Sequence, residues 1–537
     1  MHFAYNCLII AKKREGLLSF FPTQPHDLMK KNWLSLFESW VNQQTTLCWL
    51  LFLFSSFILH FLYMHHANLL VEEAYYWNYA QHLDWGYIDH PPMVALLIKC
   101  FTFLLGTNEF AVRAASLACW LVSAFFTYKW SELIHPQSGR YALLLLAVLP
   151  FFFVHSIVMT PDVPLISAWS ACLYFIYRAL ILNQKHQWYW AGLWLGLGLQ
   201  SKYTITLIPL TTLCFIIYYA PLRFWLTRKE PYLAFCISFL LFSPVLYWNA
   251  QHEWISFIFQ STRRFHDTKS TSLHQLILVV LLFISPLGFW SLWELGNKIR
   301  TLPAMTMNAL SFIHFFTWLP LGFFLMYSLN HQVNFNWSGP LFLALIPWLA
   351  ITIQEHPIKK SLWFILLTIL LMVYSSIFLC ITYNKLPLIQ QKILLKVIDW
   401  DNLIEQFHHV AVQAEKEYQQ PVVFVPLDNY PLNSELAFYQ EKMLGQKRIN
   451  NKYPCMGAHL FQRESLMYRY WYPQQKTKAL LILLAKEPWR FADPNVVNHV
   501  LVKSSLKMLW SQGQGQKIQN IPYYYQLVEL KPHQSSA

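Results

Sequence analysis

The sequence predicts a polytopic α-helical membrane protein with about eleven transmembrane helices and a small C-terminal α/β domain. Three observations carry this prediction. Only 12% of the 537 residues are charged, against 55% hydrophobic and 18% aromatic, where an ordinary soluble chain carries about 25% charge. The shortfall is concentrated between about residues 46 and 384, where apolar runs of roughly 17–25 residues recur, long enough to cross a bilayer as helices. From about residue 385 the composition becomes that of a soluble domain. A soluble enzyme, a disordered chain and a disulfide scaffold are excluded.

Residues 1–45 are mixed and basic and read as a cytoplasmic N-terminal segment. No small-residue cleavage site follows an early apolar core, so no signal peptide is expected. The first span is about 46–66. The next stretch, VEEAYYWNYAQHLDWGYIDHPPM at 71–93, holds too many carboxylates for a lipid-exposed helix. It is expected to be a loop with short helices at the interface, within a first outer loop at 67–110. Further spans are expected at about 111–130, 141–158, 163–182, 187–201, 203–220, 232–250, 273–296, 305–328, 338–354 and 361–384.

Alternating these spans from a cytoplasmic N-terminus puts most Lys and Arg residues before 385 on the cytoplasmic side, as the positive-inside rule requires. The same alternation places 67–110, 159–162, 251–272, 329–337 and the tail at 385–537 outside. In that tail VVFVPL at 422–427, LLILLA at 480–485 and YYYQLVEL at 523–530 read as strands. NSELAFYQEKM at 433–443 reads as a helix.

The net charge of +13 invites a nucleic-acid reading, but the basic residues form short clusters between apolar runs, such as Lys12-Lys13-Arg14 and Arg228-Lys229. Topology explains that pattern, and no nucleic-acid partner is expected. The nine cysteines lie mostly in apolar runs, where a thiol behaves as a small hydrophobe, and no pair has zinc spacing.

Every acidic cluster of interest falls on the outer face. Glu72 and Glu73 end the first span, and two adjacent carboxylates there are either an interfacial cap or a base facing a cavity. Asp89 and His90 precede a stiff Pro91-Pro92 turn, which places a carboxylate beside an imidazole suited to an anion. Asp162 sits between Pro161 and Val163-Pro164 at the junction of two spans, where a plain helix cap is the alternative. Lys202 ends a span at the outer side, as a snorkelling lysine or as a clamp for a lipid phosphate. Arg263 and Arg264 are outer-side cations against the topological bias. Asn334, Asn336 and Trp337 line a polar cavity or make a turn. No cofactor is named by the sequence. Glu72, Glu73, Asp89, His90 and Asp162 would offer a divalent cation a site if they converge.

Together the segments EEAYYWNYAQHLDWGYIDHPPM at 72–93, MTPDVPLI at 159–166, GLGLQSKYT at 196–204, SPVLYWNAQHEWISFIFQ at 243–260 and NWSGP at 336–340 resemble the glycosyltransferases of C-type fold. Within these, the sequence is similar to the bacterial branch of the dolichyl-phosphate-mannose-protein mannosyltransferase family, whose members include a transferase of aminoarabinose to lipid A. The tail resembles the outer domain of those relatives through VVFVPLDNYPLNSELAFYQ at 422–440.

The resemblance implies a membrane glycosyltransferase that moves a sugar from a polyprenyl-phosphate donor to an envelope acceptor, with lipid A or a similar glycolipid favoured. It implies the bacterial inner membrane, with the transfer and the C-terminal domain on the periplasmic face. Glu72 stands where the family has the Asp implied to be its catalytic base, one methylene longer, so either Glu72 still reaches, or Glu73 takes the role, or the activity is altered, and Asp162 stands at the family's second outer acidic residue. Asp89, His90 and Lys202, with Arg263 and Arg264, are then the donor-binding set. His90 replaces a permanent cation of the lipid A relative, so its charge depends on pH. A protein hydroxyl is the alternative acceptor. A transporter or flippase of lipid-linked sugar is the rival class, against which the outer-face clustering speaks.

Overall fold

The structure, a computed structural model, describes residues 25–261, 271–297, 304–334, 336–355, 357–383, 399–472, 479–511 and 521–531. Residues 1–54 cluster as a unit of their own, and residues 55–537 form the second.

Among the described residues seven helices are long and apolar enough to cross a membrane: Thr46–His66, Glu109–Ile134, Asp162–Leu180, Lys229–Gln251, Leu273–Leu295, Asn308–Ser328 and Ile358–Cys380. Each matches an expected span. Two more expected spans are bent pairs. Gly139–Val148 meets Pro150–Ile157 at 68°, and Tyr203–Tyr218 meets Ala220–Thr227 at 117°. The breaks have local causes, because Pro150 and Pro221 cannot continue the preceding helix. The remaining two, at 187–201 and 338–354, form the short helices Gln187–Leu199, of 13 residues, and Ile346–Glu355, of 10 residues after a 3₁₀ turn at Gly339–Ala344.

Gln187–Leu199 is held by close approach. A Cβ on Gly192 would lie 2.4 Å from the Ala234 carbonyl oxygen, and one on Gly196 would lie 2.6 Å from Leu241 Cδ1. Glycine alone lets this short helix lie flush against Lys229–Gln251.

The polar 67–110 segment folds as short helices, Val71–Gln81 and Met93–Leu105, joined by the turn that contains Asp89-His90-Pro91-Pro92. The turn is stiffened by the Tyr87 amide donating to the His90 carbonyl at 3.1 Å.

The C-terminal region is an α/β domain. Its sheet contains β1 (Val422–Pro426), β2 (Leu480–Ala485), β3 (Val500–Val502), β4 (Lys507–Ser511) and β5 (Ile521–Leu530). β1 and β2 are parallel, with Phe424 opposite Ile482, and β5 runs antiparallel to β2, β3 and β4. The three expected strands and the expected helix, now Pro431–Gly445, are present. β3, β4 and the amphipathic helix Trp400–Tyr418 are additions.

Both faces of β1 and β2 are buried. Val423, Val425, Leu481 and Leu483 pack into one core, while Val422, Phe424, Leu480 and Ile482 share the other with Leu69, Ala74, Tyr75 and Trp77 of the first outer loop. The sheet therefore rests on the loop through a common apolar core, and Pro431–Gly445 lies along Val71–Gln81. Polar ties pin Pro431–Gly445 to Val71–Gln81, to the residue pair before it and to the head of Glu109–Ile134. Asn78 Nδ2 donates to the Ser434 carbonyl at 3.3 Å, the Leu69 amide to the Tyr439 hydroxyl at 3.2 Å, and Lys442 Nζ to Glu109 at 2.6 Å.

Candidate active site

The two adjacent glutamates at the head of Val71–Gln81 part company. Glu73 is fully buried. Arg113 grips it through Nε–Oε1 at 3.0 Å and Nη2–Oε2 at 2.7 Å, and its oxygens also accept from the Met159 and Leu70 amides at 3.1 and 2.9 Å. Arg113 spends its other donor, Nη1, on the Tyr63 carbonyl at 3.3 Å and on that of Ala67, while Nη2 also reaches the Asn68 carbonyl at 2.7 Å. Glu73 is thereby a structural anion that pins the loop to the helix Glu109–Ile134. Glu72, one residue earlier, is exposed.

Helical periodicity lays out the rest. Glu72, Tyr75, Tyr76 and Tyr79 stand at i, i+3, i+4 and i+7, one face of Val71–Gln81. At the far end of that face the Tyr79 hydroxyl donates to Asp89 Oδ1. Asp89 is buried, its carbonyl accepts from Gln260, and the ring of His90 packs 5.8 Å from that of Tyr76.

Asp162 begins the helix Asp162–Leu180 and is 2% exposed. Its Oδ1 accepts from Lys202 Nζ at 2.8 Å and its Oδ2 from Asn336 Nδ2. Lys202 is itself buried, just past the end of Gln187–Leu199. A lysine ammonium has three protons to donate, and Asp162 takes one of them.

Burial, and then the negative charges of Asp89, Asp162 and Glu72, push the Tyr76 phenol well above its ordinary range.

The expected divalent site does not gather. Among the described residues no three His, Cys, Asp or Glu side chains stand close enough to hold a metal ion. The reason lies in the partners, since Asp162 is occupied by Lys202 and Asn336, Asp89 by Tyr79, and Glu73 by Arg113. Glu72 and His90 are left without that set. Arg263 and Arg264 lie outside the described residues.

Two contributors were not singled out from sequence, and a third was given another role. Arg113 stands one turn into an apolar run, where it reads as a topological charge. Tyr76 reads as one aromatic among several. Asn336, weighed only as a cavity or turn residue, is a ligand of Asp162.

Residues 89–248 match the family model for dolichyl-phosphate-mannose-protein mannosyltransferases. The lipid A galacturonosyltransferase RgtD of Rhizobium johnstonii is 26% identical over 196 residues, covering 35% of this chain and 40% of the relative. The chain thus matches less than half the length of that relative. The crystal structure of ArnT from Cupriavidus metallidurans in the apo state superposes with a TM-score of 0.58 at 12% identity, covering 89% of this chain and 97% of that one. ArnT bound to undecaprenyl phosphate superposes with a TM-score of 0.57 at the same identity and coverage. The chain shares the fold of the ArnT structures, and its residues 89–248 are similar in sequence to the dolichyl-phosphate-mannose-protein mannosyltransferase family.

Proposed function

We propose that this protein transfers a sugar from a polyprenyl-phosphate donor to an envelope lipid, lipid A or a similar glycolipid, at the periplasmic face of a bacterial inner membrane. The observation that carries the proposal is the buried ammonium of Lys202, held at 2.8 Å by Asp162, a cation suited to a phosphate leaving group. The likeness to a lipid A galacturonosyltransferase and to an ArnT structure that holds undecaprenyl phosphate supports it. In this reading the N-terminus is cytoplasmic and the domain from residue 399 onward is periplasmic.

The division of labour follows from the partners. Glu73 is committed to Arg113, so Glu72 is the base that takes the proton from the acceptor oxygen. That oxygen attacks the anomeric carbon, the bond from this carbon to the donor phosphate breaks, and the configuration inverts. Lys202, oriented by Asp162, stabilises the negative charge that grows on the leaving phosphate. Asp162 holds the ammonium in a buried position that a free lysine would avoid. Asp89, held by Tyr79, faces the sugar and orients its hydroxyls.

The test is mass spectrometry of total envelope lipids from cells with and without the gene. A sugar-sized mass lost from one lipid on deletion, with accumulation of the sugar-loaded polyprenyl phosphate, is the expected result. Unchanged lipids with a changed glycoprotein profile would move the acceptor to protein. No change in either would overturn the activity.

A further inference from the structure

At the end of the helix bundle remote from the candidate site lies an apolar cavity of about 290 Å³. Ile176 lines it near the end of Asp162–Leu180, Trp188 near the start of Gln187–Leu199, and Pro231 near the start of Lys229–Gln251. Asp162 and Lys202 stand at the opposite ends of the first two of these helices. Near the opposite end of the third, the Trp248 indole donates to Asp84 at 2.8 Å. The 13 residues of Gln187–Leu199 rise about 20 Å, most of which separates Trp188 from Lys202. Leu213 and Phe235 on the rim are exposed, so the cavity opens sideways between Leu207–Tyr218 and Lys229–Gln251.

The rim of this cavity is basic. Trp188 and Trp225 are buried, both line the cavity, and their rings meet edge to face with centroids 5.5 Å apart. The Trp188 amide donates to the Lys185 carbonyl at 3.3 Å, and the Arg228 amide to the Trp225 carbonyl at 3.2 Å. Each basic stretch is thus tied by its backbone to one of two touching indoles. Lys229 follows Arg228, and Leu226 and Pro231 on either side of that pair both line the cavity. Lys185, Arg228 and Lys229 are exposed, and among the described residues no carboxylate pairs with any of them. Glu230, which is buried, is the only acidic residue between Asp162 and Glu253, and the three exposed cations outnumber it. The positive-inside bias accounts for cations at this end of the bundle, but not for an apolar hollow behind them.

An isoprenoid tail is hydrocarbon to its end and gains nothing from three cations. A phospholipid offers an acyl chain to the hollow and a phosphate to the basic rim. At about 30 Å³ for each water-sized group, the cavity holds on the order of ten such groups, a large part of one acyl chain. We propose that this cavity binds an anionic glycerophospholipid, with one acyl chain between the helices and the phosphate on Lys185, Arg228 and Lys229. In the topology proposed above this lipid belongs to the cytoplasmic leaflet, so it is neither donor nor acceptor, and the site stands whichever sugar is transferred. The bound chain packs against Gln187–Leu199, the short helix that leads to Lys202.

The experiment is native mass spectrometry of the purified full-length protein in detergent micelles, titrated with phosphatidylglycerol, phosphatidylcholine and undecaprenyl phosphate. Wild type is expected to bind one phosphatidylglycerol in preference to phosphatidylcholine. Each cation near a phosphate is worth roughly a fivefold change in binding. Lys185→Gln, Arg228→Gln and Lys229→Gln combined should therefore weaken phosphatidylglycerol on the order of 100-fold, with undecaprenyl phosphate affinity unchanged. All three side chains are exposed, so the fold tolerates their replacement. Leu213→Trp, which narrows the cavity from its rim and leaves the charges in place, should weaken phosphatidylglycerol as well. Equal phosphatidylglycerol affinity in wild type and the triple variant, or equal wild-type affinity for the two phospholipids, overturns the proposal. Undiminished binding by Leu213→Trp leaves the lipid on surface charges alone and overturns the cavity as its site. Displacement of phosphatidylglycerol one for one by undecaprenyl phosphate gives the cavity to the donor's tail and overturns the proposal too.

Discussion

Arg113 closes on Glu73 with two parallel hydrogen bonds of 3.0 and 2.7 Å, and both side chains are out of water. The fork, with the Met159 and Leu70 amides, occupies both Glu73 oxygens, and the proposed mechanism therefore assigns the base to its exposed neighbour Glu72.

Removing one half of that pair leaves a buried charge without compensation. Arg113→Met is expected to destabilise the protein by about 3–5 kcal/mol, read as a fall in melting temperature and in yield of folded protein. Arg113→Lys should recover little, because a point charge cannot reproduce the fork. Combining Arg113→Met with Glu73→Met should recover most of the loss. An Arg113→Met protein that melts with wild type would show the pair to be unimportant.

Lys202 is read as the group that stabilises the leaving phosphate. Lys202→Met is expected to lower turnover by roughly 10²–10³, with a weaker affinity for undecaprenyl phosphate in nanodiscs. Asp162→Asn should do less, since it frees the ammonium without removing it. A Lys202→Met enzyme with wild-type turnover would place the phosphate elsewhere.

Glu435 is a fully buried carboxyl on Pro431–Gly445, with neither oxygen hydrogen-bonded among the described residues. Burial first, then the nearby charges of Glu73, Glu72 and Glu109, raise its pKa well above the ordinary 4.5. A carboxyl raised in the folded state favours folding below its ordinary pKa, and that advantage is lost as pH rises toward the folded value. Glu435→Gln should therefore melt higher than wild type at pH 8, with the gap shrinking toward pH 5. Parallel melting curves across that range would mean that the carboxyl is not held protonated.

The spans were legible in the sequence because hydropathy reports one thing, the length of apolar chain, and that length is what a bilayer requires. Hydropathy does not reveal how a span is used. The Gln187–Leu199 segment is apolar enough to look like a full crossing, yet its glycines serve close packing against Lys229–Gln251. In the tail, β1, β2 and β5 announced themselves by apolar runs, whereas β3 and β4 carry exposed residues on an outer part of the sheet and gave no such signal.

The site was legible as a set of charges but not as a set of partners. Glu72, Asp89, Asp162 and Lys202 stood out because each is an ionisable group where one is costly. Which of them pair depends on contacts across 40 positions for Arg113 with Glu73 and for Lys202 with Asp162, and 174 for Asn336 with Asp162. A single sequence contains no trace of such pairings.

The most direct measurement is complementation of the deletion strain with wild type, Glu72→Gln and Glu73→Gln, followed by mass spectrometry of lipid A and of the lipid-linked sugar. Wild type is expected to restore the modified lipid. Glu72→Gln, folded and present in the membrane at wild-type level, is expected to leave the acceptor bare and the donor accumulated, with transfer down by on the order of 10²–10⁴. Full modification by Glu72→Gln would contradict the assignment of Glu72 as the base, and with it the central claim that this pocket performs the transfer.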